Sequence, residues 1–139
     1  MRSWALRMAC TYEGEKNRVV ALNVEQKDEK GSFKPFAIDV GSAGFLIFVY
    51  SIFTCQHLYM YTNAAERGLL LASSTGAFDL VAGDDWMLVD LRARFDGKLR
   101  SGTATPDDIA YIQARMNQCP VSRNLHPSAA HESKLVLSN

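Results

Sequence analysis

The sequence has no excess of either charge: Lys+Arg and Asp+Glu number 15 each, and the formal net charge is zero. A chain that holds nucleic acid carries phosphate-neutralising cations in excess, and none are in excess here, so no nucleic-acid partner is expected. Zero net charge also removes repulsion between copies and favours self-association. There are three cysteines and no Cys-x-x-Cys, which excludes a disulfide scaffold and fits a reducing, cytoplasmic compartment. No glycine-rich phosphate loop, nucleophile elbow or paired-carboxylate signature is present, and nothing points to a cofactor or metal. Asp84-Asp85 and Asp107-Asp108 read as turn and helix-start acids. A long, purely apolar run is also missing. Val40 to Ala65 has no Asp, Glu, Lys or Arg, but only Ala43 to Tyr50 is unbroken. Ser51, Thr54, Gln56, His57, Thr62 and Asn63 follow, groups that suit a core helix better than a membrane span. The segment Met1-Arg-Ser-Trp-Ala-Leu-Arg7 lacks the apolar stretch of a secretory leader.

What is present is a mixture of two periods. Trp4, Leu6, Met8, Cys10 and Tyr12 alternate with small or polar residues, which predicts a strand ending at Glu13-Gly14. Val20, Leu22 and Val24 predict a second strand, paired with the first as a hairpin. Gln26 to Lys34 reads as a turn and Phe36 to Val40 as a short third strand. A helix of about 25 residues then runs from an N-cap at Ser42 to a stop at Gly68. Leu69 to Val81 and Val89 to Phe95 read as strands, the latter turned by Asp96-Gly97. Thr105-Pro106-Asp107-Asp108 has the N-cap, the N1 proline and the acids of a helix start. Ile109, Ile112 and Met116 form its apolar stripe, Cys119-Pro120 interrupts it, and Leu135 to Leu137 suggest a closing strand. The expected class is α+β, a single domain over residues 1–139.

The cysteines carry the chemistry. Cys10 shares the apolar face of the first strand and reads as a buried small hydrophobe. Cys55 lies where the long helix turns from apolar to polar, at the wet edge of a core. Cys119 stands directly before Pro120, where unpaired N–H groups of a following helix would favour its thiolate, with Arg123 one turn on. The histidines, His57, His126 and His131, give weaker signals; His57 is two residues from Cys55 and faces another side of the helix.

Three features together resemble the OsmC/Ohr family, the osmotically inducible and organic hydroperoxide resistance proteins. These are Cys55 on a long apolar helix, the closing segment Asn63-Ala-Ala-Glu-Arg-Gly68, and Cys119-Pro-Val-Ser-Arg-Asn-Leu125, with the two cysteines 64 positions apart. The likeness covers roughly Ser42 to the C-terminus. It implies an OsmC-like fold, antiparallel sheets around a long central helix in an intertwined homodimer, with active sites at the subunit interface. It implies a peroxidase in which Cys55 attacks an organic hydroperoxide, Cys119 resolves the sulfenic acid, and a lipoyl-type dithiol regenerates the pair. The family's supporting groups are a Glu near the start of the long helix and an Arg from the N-terminal part. The corresponding stretch Gly44 to Phe48 has no acid, and Arg18 is the candidate Arg. Two alternatives are a non-catalytic OsmC-like dimer that binds a hydrophobic small molecule, and a redox sensor whose disulfide is the signal.

Overall fold

A computed structural model describes residues 1–125 and 129–139; His126 lies outside them. The chain runs β1 (Arg2–Glu13), β2 (Arg18–Lys27), β3 (Phe33–Pro35), α1 (Gly44–Glu66), β4 (Leu70–Ala82), β5 (Leu88–Ser101), α2 (Pro106–Asn117), a 3-10 turn (Ser122–Asn124) and β6 (Ala130–Ser138). The six strands form one sheet in the order β3-β2-β1-β4-β5-β6. The class is α+β as expected, and this chain supplies one sheet. Its pairs are antiparallel except β5 with β6, which run parallel. The connection between those two carries α2 and the Cys-Pro segment, and a crossover of that length lets the chain return in the same direction.

Period two decides which face of the sheet is dry. Leu6, Met8, Cys10 and Tyr12 of β1, Phe78 and Leu80 of β4, and Leu91, Ala93 and Phe95 of β5 are buried on one face. Arg7, Asp79, Arg92 and Arg94 alternate to the other. The helix α1 lays Val49, Ile52, Phe53, Gln56, His57, Met60 and Ala64 on the dry face at the three- and four-residue spacing of one helical stripe. Phe53 packs between Phe78 (5.3 Å between ring centroids) and Phe95 (5.6 Å). Each such fully buried side chain contributes about 1.5–3 kcal/mol of transfer free energy. Beside α1, α2 buries Ile112 and Met116.

Most boundaries follow local chemistry. Thr105 caps α2 with a reciprocal pair: its hydroxyl accepts from the Asp108 N–H (3.1 Å), and Asp108 accepts from the Thr105 N–H (3.0 Å). Gly68 sits at φ 73° just beyond α1, and the Leu69 N–H reaches back to the Ala64 carbonyl (2.9 Å). Three expectations are corrected. The N-cap of α1 is Ala43, with no side-chain bond; Ser42 instead accepts from the Asp39 N–H (3.0 Å) within its own turn. The third strand is Phe33–Pro35, paired with Glu25 to Lys27 of β2; Phe36 still donates to the Val24 carbonyl (2.9 Å), and its ring packs against Tyr50 at 4.8 Å. And β5 does not turn at Asp96-Gly97 but continues to Ser101. Gly97 belongs to the strand interior: a Cβ there would meet Leu137 at 2.7 Å and Leu71 at 2.8 Å, so the missing side chain permits close packing rather than a turn.

One tie that the sequence pattern does not mark holds the β1–β2 turn to the end of α1. Asn17, fully buried at φ 52°, donates through Nδ2 to the carbonyls of Tyr61 and Leu69 (both 3.0 Å) and accepts from the Leu71 N–H (2.8 Å). Asn is among the few non-glycine residues that tolerate this backbone conformation.

Candidate functional site

Cys55 is held by α1 and Cys119 by the turn that follows α2. The two elements meet there: Cys55 is half-buried, Cys119 is fully buried, and both are free thiols. Burial pushes the Cys55 thiol above its usual range. The Val121 backbone N–H, donating to it, opposes that shift, and the Cys119 thiol adds to it. The two sulfurs are therefore neighbours although 64 positions separate them in the chain. No arginine is among the groups acting on Cys55.

The Cys119 cradle differs in form from the helix N-terminus expected. After Cys119-Pro120 the chain makes only the short 3-10 turn Ser122–Asn124. Even so, a backbone N–H does point at the sulfur: Ser122 N–H donates to Cys119 Sγ (3.3 Å), and the Ser122 hydroxyl oxygen lies 3.0 Å from the same atom. Arg123 turns away, its Nε donating to the Gln118 carbonyl. Ser122 also touches Gln56, whose Nε2 lies 3.3 Å from the hydroxyl oxygen. Gln56 Nε2 is 2.9 Å from His131 Nε2, and Ser133 donates to Gln56 Oε1 (2.9 Å). The sequence reading singled out neither Gln56, Ser133 nor the use of His131. The signal for Gln56 was legible in hindsight: it stands four residues from both Ile52 and Met60, a polar side chain on the buried stripe.

The other predicted residues lie elsewhere. Arg18 is on the surface at the start of β2, ion-paired with Glu13; within one chain it does not join the cysteine pair. Cys10 is buried on β1, and desolvation raises its pKa. His57 faces away from Cys55, as its spacing predicts. It is buried against the sheet with Nε2 2.7 Å from Tyr12 Oη, which lies 2.6 Å from Ser74 Oγ. Desolvation lowers the His57 pKa to about 4 and pushes the Tyr12 phenol upward. Among the described residues, no group of three or more His, Cys, Asp or Glu is placed to hold a metal ion. Nor, among the described residues, is any helix long and apolar enough to cross a membrane.

No family model matches the sequence, and no curated protein matches it. Solved structures do. An osmotic stress induced and detoxification response protein from Psychrobacter arcticus aligns over 92% of each chain, with a TM-score of 0.55 at 14% identity. An OsmC-like protein from Mycoplasma pneumoniae covers 81% of this chain and 93% of its own, with a TM-score of 0.57 at 10% identity. The fold is OsmC-like. An OsmC-like hydroperoxide resistance protein from Jannaschia sp. also shares it, with a TM-score of 0.52, 13% identity, and coverage of 88% of this chain and 85% of its own. At such identities the likeness is one of backbone path. In the OsmC-like frame of this chain, the cysteine pair sits where α1 meets the segment after α2.

Proposed function

We propose that this chain is a cysteine-based peroxidase of organic hydroperoxides, working as a homodimer in a reducing cytoplasm. The observation that carries the reading is the meeting of Cys55 and Cys119 thiols at one spot, the more exposed sulfur on α1 and the buried one behind it. A hydroperoxide resistance protein with the same fold supports it. Cys55 thiolate attacks the outer peroxide oxygen. The O–O bond breaks, the alcohol leaves with a proton, and Cys55 becomes a sulfenic acid. Cys119 then attacks that sulfur, forming the disulfide and releasing water. A lipoyl-type dithiol reduces the disulfide and is itself oxidised, restoring both thiols.

Mapping the thiols tests the pair. A small excess of tert-butyl hydroperoxide is expected to give an intramolecular Cys55–Cys119 disulfide and leave Cys10 reduced. Cys55 overoxidised with Cys119 untouched would remove the resolving role. Arg18 is the proposed partner of the thiolate. It has to leave Glu13 to serve, and an Arg18→Ala chain with unchanged turnover would dismiss it.

The dimer is supported by apolar side chains left outside one chain's core. Phe48 and Leu58 of α1 are 36% and 44% exposed, with Val20 and Leu22 of β2 at 54% and 44%. An interface well above the standard size of about 1,600 Å² is expected. Sedimentation showing a stable monomer at micromolar concentration would refute it.

A second reading has two observations in its favour. The start of α1 has no acidic residue, and Cys55 is raised rather than lowered. Both suit a dimer that binds a hydrophobic small molecule without turning it over. Turnover at the no-enzyme rate from pH 6 to 9, with both thiols free at the start, would select this reading.

A further inference from the structure

Gln56 has no part in the thiol steps above, yet it is fully buried directly after Cys55. A buried amide is costly unless paired, and this one is paired at both ends, to Ser122, His131 and Ser133. With the two Ser122 contacts to Cys119, a continuous hydrogen-bonded chain runs Cys119–Ser122–Gln56–His131. It joins a buried sulfur to a histidine on the exposed first turn of strand β6.

The donor count allows two arrangements of that chain. The Ser122 hydroxyl has one proton. When the Gln56 NH₂ faces Ser122, the hydroxyl oxygen accepts from it, and the hydroxyl proton is free to point at Cys119, which suits a thiolate. When the amide is turned over, its carbonyl oxygen takes the Ser122 proton. The hydroxyl can then only accept, and Cys119 stays S–H. His131 Nε2 meets the same end of the amide. Neutral, with Nε2 unprotonated, it accepts from the NH₂. As imidazolium it donates from both nitrogens and calls for the carbonyl oxygen. Ser133 serves either arrangement, since its hydroxyl both donates and accepts.

We propose that Gln56 is a positioning residue that passes the protonation state of His131 to Ser122, and so sets whether Cys119 is held ready as a thiolate or kept as a thiol. The inference rests on the reading of Cys119 as the resolving thiol and adds a pH gate to that step. Neutral His131 readies Cys119 to attack the Cys55 sulfenic acid, and protonated His131 holds it back. Among the described residues, His131 Nε2 has two partners, Gln56 Nε2 and, farther off at 3.3 Å, Ser133 Oγ, which is itself bonded to Gln56. On its face of the sheet the register partner is Leu91, with Gln56 from α1 and Ser133 from β6. Asp90, Arg92 and Glu132 alternate to the opposite face, and Asp90 pairs with Arg92. Cys55 and Cys119 are the titratable groups on the far side of Gln56. Desolvation lowers the His131 pKa from its usual value, so the gate operates on the acid side of neutrality.

The test uses the full chain with Cys10→Ser and Cys55→Ser, so that Cys119 is the sole thiol. The ultraviolet absorbance of the thiolate is followed against pH, and the His131 ring is titrated by NMR in the same samples. Gln56→Glu, whose carboxylate only accepts and takes the Ser122 proton, is expected to move the Cys119 midpoint up by about one pH unit, the tenfold change that follows loss of one hydrogen bond to a charged group. Because coupling is reciprocal, Cys119→Ser should shift the His131 titration when Gln56 is present and leave it unmoved in Gln56→Met, which has neither donor nor acceptor. If Gln56→Met does not fold, Ser122→Ala, which cuts the same chain at the hydroxyl, replaces it, and the His131 titration should again be unmoved. Superimposable Cys119 titrations of the Gln56 and Gln56→Glu chains, or a His131 titration indifferent to Cys119 in the presence of Gln56, would overturn the inference. Peroxide plays no part in these measurements. A chain without turnover but with the coupling intact would sink the peroxidase and leave the gate standing.

Discussion

Cys55→Ser is expected to bring dithiol-dependent turnover of an organic hydroperoxide down to the no-enzyme rate. A serine hydroxyl is not ionised near neutral pH, so the O–O bond meets no thiolate-like nucleophile. Cys119→Ser behaves differently: it consumes about one peroxide per site and then stalls as the Cys55 sulfenic acid. The pH dependence follows from the direction of the Cys55 shift. Burial raises that thiol, so at neutral pH the thiolate is the minor form. Its fraction grows about tenfold per pH unit until the pKa is reached. Turnover should climb from pH 6 to 9. A rate that is flat over that range would mean that Cys55 is already ionised, and a further group, such as Arg18 or a residue of a second copy, would have to be holding the charge. Residual turnover in Cys55→Ser would remove Cys55 from the reaction.

Acid weakens the fold through a residue outside the thiol site. His57 is buried against Tyr12, and its pKa in the folded chain is about 4, below the ordinary 6.5. The unfolded chain therefore takes up a proton first as pH falls. Stability is full above pH 6.5, drops between 6.5 and 4, and loses nothing further to this group below 4. A shift of that size corresponds to about 3 kcal/mol, an upper figure for one buried imidazole. Denaturant midpoints at pH 7 and pH 4.5 measure it. His57→Gln, which keeps an acceptor for Tyr12, should be less stable at pH 7 but show a flatter decline. Parallel declines in the two proteins would assign the acid sensitivity to other groups.

Both predictions draw on residues whose surroundings were unequally legible. The alternation of Leu6, Met8, Cys10 and Tyr12 shows β1 and its dry face, because a pleated strand sends alternate side chains to opposite sides. Thr105-Pro106-Asp107-Asp108 marks the start of α2, because the cap is built from neighbours in sequence. Gly97 misleads: a glycine after an aspartate has the local signature of a turn, and only Leu71 and Leu137, contributed by two other strands, make it a packing glycine. The third strand misleads in the same way, since Phe33 to Pro35 become strand through their pairing with Glu25 to Lys27 of β2.

By itself the sequence determined the α+β order, the long helix, the dry face of the sheet, and the two cysteines worth watching. These depend on period, on caps and on residue type, all written within a few positions of chain. Only the tertiary structure decided the parallel β6, the tie made by Asn17, the withdrawal of Arg18 to Glu13, and the polar chain from Cys119 to His131. Each of these joins residues far apart in sequence. Gln56, Ser122 and His131 come from a helix, a turn and a strand, and hydrogen-bond geometry between them exists only once the sheet and helices have packed.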